Sequence, residues 1–219
     1  MEFPPCAPAK LEIFASLAEL AQAIGHTNRL ELLEHLAQGT RSVEELTARS
    51  GMTFANTSRH LQILRRARLV ATERDGKRVL YRLSGDPEIT RLMRALGKTA
   101  EAVSPAVAQT LEVSYRVHDR KPAMTREDLF AALGKVTVVD VRAPDEFAQG
   151  HLPGAINIPA ADLAARCNEL ASPVVLYCRG PYCVQAYESV AILRAHGMTA
   201  TRLEDGFPEW KAQGFPIET

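Results

Sequence analysis

The chain is organised around VVLYCRGPYC at Val174–Cys183, followed directly by VQAYESVAIL at Val184–Leu193. The apolar, β-branched run at the start predicts a buried parallel strand, and the spacing of apolar residues after Cys183 predicts a helix. Cys178 therefore lies where a strand ends and a helix is about to begin. Loop N–H groups and the positive end of the helix dipole can face its sulfur there. This environment favours a thiolate nucleophile, and the alternative is an inert buried thiol.

Segments typical of strands and helices alternate around this stretch. The predicted strands lie at 136–141, 155–158, 174–177 and 200–203, and the predicted helices at 143–149, 160–170 and 184–195. Alternation of this kind gives an α/β domain in which helices cover a parallel sheet, with chemistry at the carboxyl ends of the strands. Asp140 and Cys178 both fall at such ends.

Four further motifs accompany these elements. They are VVDVR at 138–142, DEF at 145–147, GHLPGAINIP at 150–159 and LEDGFPEWKAQGFP at 203–216. Together with the Cys178 loop they resemble the signatures of the rhodanese sulfurtransferase family, over residues 122–219. The resemblance implies that Cys178 takes a sulfane sulfur from thiosulfate, polysulfide or a persulfide, holds it as a persulfide and passes it to a thiol acceptor. It implies no cofactor.

The resemblance also suggests roles for the neighbours of Cys178. Arg179 is placed to attract an anionic donor, and a surface salt bridge is the alternative. Cys183 is either a thiol that attacks the Cys178 persulfide and closes a bridge, or a thiol that replaces a hydroxyl. Residues of the upstream signature are expected to hold loops together by ion pairs and hydrogen bonds rather than to take part in chemistry: Asp140, Arg142, Glu146 and His151.

Residues 9–117 predict a separate, mainly helical domain. Ser42 and Glu45 form a capping-box pattern that opens a short helix ending near Gly51, and a second helix runs from about 54 to 67 with Thr53 as N-cap. Two helices joined by a tight turn containing glycine form a helix-turn-helix pattern, whose second helix enters the major groove. Residues 69–83 then predict two strands around an Asp-Gly turn, which would form a wing.

This half of the chain resembles the ArsR/SmtB family of winged-helix repressors. The resemblance rests on GHTNRLELL at 25–33, TSRHLQILRRARLV at 57–70 and the wing, and it covers about residues 10 to 115. It implies a homodimer on double-stranded operator DNA, with the first and last helices at the subunit contact. The stripe expected on the last helices is Ile89, Leu92, Met93, Leu96 and Ala100. Contacts to DNA are expected from Asn56, Thr57, Ser58, Arg59, His60, Arg74, Lys77 and Arg78.

Charge supports the DNA hypothesis locally. The 26 Lys/Arg and 26 Asp/Glu of the chain cancel overall, but residues 59–82 hold a basic cluster with two acidic residues, Glu73 and Asp75. Its members are Arg59, Arg65, Arg66, Arg68, Arg74, Lys77, Arg78 and Arg82. Such a cluster fits phosphate contact, and a solvated basic face is the alternative.

Composition and spacing also argue against several classes of protein. No apolar run is long enough for a membrane span, and the N-terminus lacks the features of a signal peptide, so we expect a cytoplasmic protein. Its four cysteines should be thiols by default in a reducing compartment, so a disulfide would be a regulated event. The helix before the recognition helix has no Cys-x-Cys, and Cys6 shows no ligand spacing with His26, His35 or His60. We therefore expect no metal site.

Two functional hypotheses remain open. In the first, a dimeric DNA-binding repressor uses its sulfurtransferase domain to report reactive sulfur species to the operator. In the second, the chain is a sulfurtransferase whose winged helix only dimerises it or regulates its own promoter without sensing. The two hypotheses differ in whether sulfur transfer is coupled to DNA binding. Coupling requires that the effector acts unequally on two conformations of the protein, because only then does it change operator affinity.

Overall fold

The computed structural model describes residues 8–219, except for the side chain of Asp86. Cys6, one of the cysteines considered above, lies outside the described residues. The chain divides after Gly85 into two compact units, each of which is described by itself. The domain limits expected from the sequence, 9–117 and 122–219, stay predictions; the helix that follows Gly85 belongs to the second compact unit.

The first unit is a helical domain with a small sheet. Its elements are α1 (Pro8–Ile24), α2 (Thr27–Ala37), β1 (Arg41–Ser42), α3 (Val43–Ser50), α4 (Phe54–Arg66), β2 (Val70–Asp75) and β3 (Arg78–Leu83). Leu32, Leu46, Leu61 and Leu64 are fully shielded from solvent. They belong to α2, α3 and α4, so the apolar faces of these three helices form the core of the unit.

Local signals in the sequence set the limits of the helix-turn-helix. The predicted capping box at α3 is present: Ser42 Oγ accepts the Glu45 N–H at 3.2 Å, and Glu45 Oε2 accepts the Ser42 N–H at 2.7 Å. Gly51 ends α3 with φ of 65°, a left-handed conformation that disfavours residues with a Cβ. Thr53 caps α4 by accepting the Asn56 N–H. Helix α4 therefore begins at Phe54, as predicted.

The predicted wing is also present. Strands β2 and β3 pair antiparallel from Val70 opposite Leu83 to Asp75 opposite Arg78, and this register leaves Gly76 and Lys77 as the loop. Gly76 has φ of 57°, as the first position of a two-residue hairpin loop of this kind requires. Strand β1 pairs with the other edge of β3. The fold of this unit is a winged helix-turn-helix.

The second unit begins with two helices and continues into an α/β domain. Its helices are α5 (Asp86–Val103), α6 (Pro105–Ser114), α7 (Arg126–Ala132), α8 (Pro144–Phe147), α9 (Leu163–Arg166), α10 (Val184–Ala195) and α11 (Phe207–Ala212), with a 3-10 turn at Cys167–Glu169. Its strands are β4 (Thr137–Asp140), β5 (Ile156–Asn157), β6 (Val174–Tyr177) and β7 (Ala200–Arg202).

The four strands form a parallel sheet with helices on both faces. Their order is β5-β4-β6-β7. Successive residues of β4 and β6 point to opposite faces, so Val139 and Leu176 join one buried cluster while Val138 and Val175 join the other. The first cluster includes apolar residues of α10, and the second includes Trp210 of α11. The structure thus confirms the predicted α/β fold, with Asp140 and Cys178 at carboxyl ends of adjacent strands.

The predicted helix at 160–170 is much shorter in the structure. Its start is occupied by further pairing with the neighbouring strand, because the Ile158 N–H donates to the Asp140 carbonyl and the Ala160 N–H donates to the Val141 carbonyl. The backbone is therefore still paired with the end of β4 at Ala160, where a turn begins. Helix α9 is left with one turn, which continues as a 3-10 turn.

The segment at 118–122, predicted as a polar linker, is anchored to the α/β domain. The Asp119 side chain is buried and pairs with Arg194 Nη1 at 2.6 Å and with Arg202 Nε at 3.6 Å. Its Oδ1 also accepts the Lys121 N–H at 3.0 Å. The connection between α6 and the sheet is therefore held in place by charge pairs.

Helix α5 has two chemically different faces. Leu92, Leu96 and Val103 are exposed on one of them, by 37%, 42% and 73%. The other face lies against α11 and the segment before it, where Arg94 pairs with Asp205 Oδ1 at 2.6 Å. Of the stripe predicted from the sequence, Ile89 is buried while Leu92 and Leu96 remain exposed.

Candidate functional site

The candidate catalytic loop runs from Cys178 to Cys183. Cys178 directly follows β6, and Cys183 is the residue before the first turn of α10. The structure joins the two by a disulfide, with their Cα atoms 6.3 Å apart. The sulfur of Cys178 therefore lies at the N-terminus of α10, where the helix dipole stabilises negative charge. Cys178 is buried, so in this bridged form a donor cannot reach its sulfur.

The backbone of this loop is supported by the segment before α11. The Phe207 N–H donates to the Cys178 carbonyl at 3.2 Å. Gly206 lies so close to the loop that a Cβ there would collide with the Gly180 nitrogen, the Arg179 carbonyl carbon and the Cys178 oxygen. Glycine is thus required at 206 because two backbone segments pass each other in contact.

Arg179 is held by Glu146 of α8. Its Nε and Nη2 donate to the two carboxylate oxygens of Glu146 at 2.8 and 3.0 Å. Glu146 is buried, and its Oε2 also accepts the Ala143 N–H. A two-point pair of this kind fixes the guanidinium in one plane. The salt bridge considered for Arg179 is therefore present, and attraction of an anionic donor stays a prediction.

Asp140 and Arg142 form a fully buried ion pair at the end of β4. Arg142 Nη2 lies 2.6 Å from Asp140 Oδ2, and neither side chain is exposed to solvent. Arg142 Nη2 also donates to the Gly150 carbonyl at 2.7 Å, and its guanidinium lies over the Phe207 ring at 4.3 Å. The pair connects the end of β4, the 150 loop and the segment that supports Cys178.

His151 is bound within its own loop. Its Nδ1 lies 3.1 Å from the Phe147 carbonyl, its ring stacks on Phe147, and its Nε2 lies 3.6 Å from Glu218 Oε2. These contacts tie the 150 loop to α8 and to the C-terminal segment. The arrangement is that of a residue that organises a loop.

Helices α5 and α6 contact the catalytic loop at Tyr182. The Tyr182 hydroxyl donates to Glu101 Oε1 at 2.5 Å, and the Tyr115 hydroxyl donates to the Tyr182 carbonyl at 2.9 Å. The Tyr182 ring lies directly on Gly97, where a Cβ would come within 2.9 Å of Cε2. Burial and the Glu101 carboxylate raise the pKa of the Tyr182 hydroxyl, so it remains a donor.

The Glu209 carboxylate lies close to the same loop, near Gly180. Its Oε2 accepts the Gly206 N–H at 2.9 Å, and a Cβ at Gly180 would lie 3.7 Å from Oε1. Burial raises the pKa of this carboxyl to about 7, and the Gly206 N–H lowers it only in part. Its charge therefore changes near neutral pH.

In the first unit, α4 presents part of the predicted DNA-contacting set to solvent. Asn56 and Arg59 are exposed and Ser58 is half-buried, whereas Thr57 is fully buried. Its Oγ1 donates to the Thr53 carbonyl at 3.1 Å. Contrary to the prediction, the Thr57 side chain is not available to DNA, because it shares the buried face of α4 with Leu61 and Leu64, four and seven residues later.

His60 is only partly available. Its Nε2 lies 3.4 Å from Asn28 Nδ2, and its ring lies 4.5 Å from the ring of His26. Burial, His26 and the nearby Arg29 and Arg59 lower the pKa of His60, so its ring is neutral at physiological pH. On the wing, Arg74, Lys77 and Arg78 are all exposed.

Among residues 8–219, no three His, Cys, Asp or Glu side chains come together as they would to hold a metal ion. No helix in that part of the chain combines the length and the apolar character needed to cross a membrane.

Comparison with known proteins gives matches for both units. Residues 26–72 match the model of bacterial regulatory proteins of the arsR family, and residues 125–213 match the model of the rhodanese-like domain. The HTH-type transcriptional regulator Rv0324 of Mycobacterium tuberculosis is 38% identical over 214 residues, which cover 95% of this chain and 93% of that protein. The chain belongs to the arsR family. It is a transcriptional regulator that combines an arsR-type winged helix-turn-helix with a rhodanese-like domain.

Two further proteins resemble one half each. A sulfurtransferase of Allochromatium vinosum is 34% identical over 85 residues, covering 37% of this chain and 78% of that protein. The homodimeric winged helix-turn-helix DNA-binding domain of a possible ArsR-family regulator from Mycobacterium bovis is 30% identical, with a TM-score of 0.41. That match covers 45% of this chain and 91% of the other.

Several residues of this arsR-family regulator were not singled out by sequence reasoning. Phe54 is 55% exposed at the first position of α4, beside the predicted DNA-contacting residues. Tyr182 and Glu101 meet although 81 residues separate them. The position of Phe54 directly after the Thr53 cap was a usable signal, because a large apolar residue there has no core to face. No local signal connects Tyr182 with Glu101.

Replacing Arg59 by alanine should weaken binding to the specific operator. Arg59 is exposed on α4, two residues after the buried Thr57, and an arginine there reaches base edges or phosphates. We expect a loss of about 1–3 kcal/mol, or about 5- to 150-fold in affinity. Titration of labelled operator at fixed salt measures it.

Lys77→Ala is the matched comparison, because Lys77 lies at the tip of the wing. It should reduce the slope of affinity against salt concentration and affect all sequences alike. If Arg59→Ala bound the operator as tightly as the wild type, α4 would not be the recognition helix.

Glu209→Gln should change the pH dependence of stability. The folded-state pKa of Glu209 is raised to about 7, so the folded protein holds this proton at pH values where the unfolded chain has lost it. Its contribution is therefore complete at acid pH and is lost as the pH rises through about 7. The wild type should lose thermal stability across that interval relative to Glu209→Gln. Glu188→Gln, at an exposed position of α10, should follow the wild type.

Proposed function

We propose that this regulator binds double-stranded operator DNA as a homodimer in the cytoplasm and releases it when Cys178 accepts a sulfane sulfur. The observation that carries the proposal is the Cys178–Cys183 pair, which lies at the end of β6 and the start of α10. A resolving thiol beside a nucleophilic cysteine allows a covalent change that can be reversed. In one chain with a winged helix-turn-helix, such a pair suits a sensor.

The first chemical step loads sulfur onto Cys178. The Cys178 thiolate attacks the outer sulfur of thiosulfate, forming Cys178–S–S⁻ and releasing sulfite. With a polysulfide the same attack releases a polysulfide shorter by one sulfur. The N-terminus of α10 favours the thiolate and the persulfide anion alike.

The second step closes the bridge. The Cys183 thiol attacks Sγ of Cys178, the bond to the outer sulfur breaks, and the outer sulfur leaves as hydrogen sulfide. Over the two steps, each cysteine sulfur loses one electron and the sulfane sulfur gains two, so electrons balance without another oxidant. Two equivalents of a small thiol would return the pair to its reduced form.

The proposed dimer rests on apolar surface that the chain leaves uncovered. On α1, Leu11, Phe14 and Leu17 are each more than half exposed, and Leu92 and Leu96 are exposed on α5. A contiguous apolar helix face is unfavourable in water, and a second copy of the chain offers a matching one. Helices α1 and α5 would then form the contact.

The proposal is tested by measuring operator affinity before and after treatment with polysulfide. Wild-type protein should bind at least tenfold more weakly after treatment, which requires about 1.4 kcal/mol of difference between the two states. Cys178→Ser should bind equally in both conditions. Unchanged affinity of a fully persulfidated or bridged wild type would contradict sensing. It would favour the alternative function, a sulfurtransferase whose winged helix serves dimerisation or autoregulation.

A further inference from the structure

The loop that carries Cys178 and Cys183 contacts α5 and Tyr115, the residue after α6, through Tyr182. Tyr182 is held by its side chain, through the hydrogen bond to Glu101 of α5, and by its backbone, through the hydrogen bond from Tyr115. Its ring also rests on Gly97, where no side chain intervenes between ring and helix. Tyr182 is adjacent to Cys183, so a displacement of Cys183 acts directly on it.

The states of the cysteine pair require different positions of Cys183. In the bridge, the Cys183 sulfur is bonded to Cys178. In the persulfide, Sγ of Cys178 is bonded to the outer sulfur instead of to Cys183. The two cysteine sulfurs are then separated by at least a van der Waals contact, so Cys183 lies farther from Cys178 than in the bridge, which displaces the backbone next to Tyr182.

Helix α5 is placed to respond, because Glu101 is shared. The same carboxylate lies 3.6 Å from Arg94 Nη1, and Arg94 pairs through Nε with Asp205, next to the Gly206 that supports the loop. A change at Tyr182 therefore alters the hydrogen bonding of a carboxylate that Arg94 also contacts on the polar face of α5. The opposite face of the helix carries the exposed Leu92 and Leu96, and α5 follows the wing strand β3 after two residues.

We propose that Tyr182 is the positioning residue through which the covalent state of Cys178 and Cys183 is passed to α5, by way of Glu101 and Gly97. This inference rests on the proposed sensing function and specifies the residues that connect the cysteine pair to α5, which we call the route. In the bridged form Tyr182 is docked on α5. In the persulfide form the docking is weakened, and the C-terminal half of α5 opens more readily.

Hydrogen exchange of α5 in the full-length protein tests the route without DNA. The forms compared are the bridged protein, the protein reduced with dithiothreitol and the protein loaded with polysulfide. In the wild type, the amides of residues 94–103 should exchange about fivefold faster in the persulfide form than in the bridged form, as expected for the loss of one hydrogen bond. Mass spectrometry confirms the covalent state of each sample.

Two variants interrupt the contact without touching a cysteine. Tyr182→Phe removes the hydroxyl that Glu101 accepts. Gly97→Ala forces the ring off the helix and favours helix formation at the same time, so unfolding does not explain its effect. In both variants, the amides of residues 94–103 should exchange less than twice as fast in the persulfide form as in the bridged form, while Cys178 still gains sulfur. Tyr81→Phe is the matched control: it removes a hydroxyl from β3 of the first unit, which is not part of this contact, and it should behave as the wild type.

The outcomes separate this inference from the proposed function. The route through Tyr182 is overturned if α5 exchanges equally in all forms of the wild type. It is also overturned if the wild-type difference persists in Gly97→Ala and Tyr182→Phe. Either result counts even if operator affinity responds to polysulfide. If α5 responds and loses its response in the two variants, the route is supported. Constant operator affinity in those same wild-type samples would then contradict sensing alone.

Discussion

Cys178→Ser is expected to abolish sulfur loading completely. With thiosulfate or polysulfide as donor, the wild type should gain the mass of one sulfur atom on Cys178, and cyanide should remove it. A serine hydroxyl is not ionised at neutral pH and is a poor nucleophile toward sulfur, so neither persulfide nor bridge can form. Peptide mass spectrometry of the treated protein measures the result.

The position of Cys178 explains why a single residue should carry the whole effect. It lies at the carboxyl end of β6 and at the N-terminus of α10, within bonding distance of Cys183. Cys167, the free cysteine among the described residues, lies in the 3-10 turn after α9. It is at the C-terminal end of α9, where the helix dipole does not favour a thiolate. Geometry therefore distinguishes the two thiols.

Cys167→Ser is the control and should load sulfur as the wild type does. Cys183→Ser should still form the persulfide but not the bridge, and we expect a weaker response of operator affinity. Labelling that persisted in Cys178→Ser and mapped to Cys6 or Cys167 would refute the assignment of the nucleophile. Unmodified Cys178→Ser should keep its affinity for the operator.

Asp140→Ala is expected to destabilise the second unit by about 3–5 kcal/mol, since it leaves the buried Arg142 without its partner charge. Both side chains are fully shielded, and three atoms of Arg142 donate to the carboxylate of Asp140. Uncompensated charge is costly in an apolar interior because solvation is lost and not replaced. Chemical denaturation of the full-length protein, followed through the single tryptophan, Trp210, reports on this unit.

Asp140→Asn keeps the shape of the side chain and removes its charge, so it gives a folded protein with a smaller loss if alanine prevents folding. Glu169→Ala, which breaks the exposed pair with Arg166, should leave stability nearly unchanged because solvent screens such pairs. If Asp140→Ala unfolded at the same denaturant concentration as the wild type, the pair would not contribute to the fold. The loop around Cys178 should also lose order, because Arg142 packs on Phe207.

Much of the fold could be predicted because its signals are local. A capping box at Ser42, a Thr53 cap and a left-handed glycine at 51 set α3 and α4, and each acts within four residues of its position. The strand β6 and the helix α10 were likewise predicted with their observed limits, because one apolar run and one periodic face suffice. The helix expected at 160–170 was too long, since its start pairs with Val141, which is distant in sequence.

Residues of the candidate sites were likewise predicted where the signal was local and missed where it depended on distant residues. Motifs singled out Cys178 and Cys183, because both lie on one short loop between a predicted strand and a predicted helix, and the structure joins them by a disulfide. Thr57 was assigned to the DNA-contacting set although helical spacing places it on the inward face with Leu61 and Leu64. The polar segment at Asp119 was expected to be a linker, and its burial depends on Arg194 and Arg202, more than seventy residues away.

The sequence by itself determined that an arsR-type winged helix-turn-helix precedes a rhodanese-like domain, and that Cys178 directly follows a strand. These features depend on periodicity, caps and short motifs, and interactions between residues close in sequence determine all three. Only the tertiary structure decided that Arg179 pairs with Glu146, that Arg142 is buried with its charge matched, and that Tyr182 meets Glu101. Such contacts join residues far apart in the chain, and their energies depend on burial and distance, which exist only after the elements have packed.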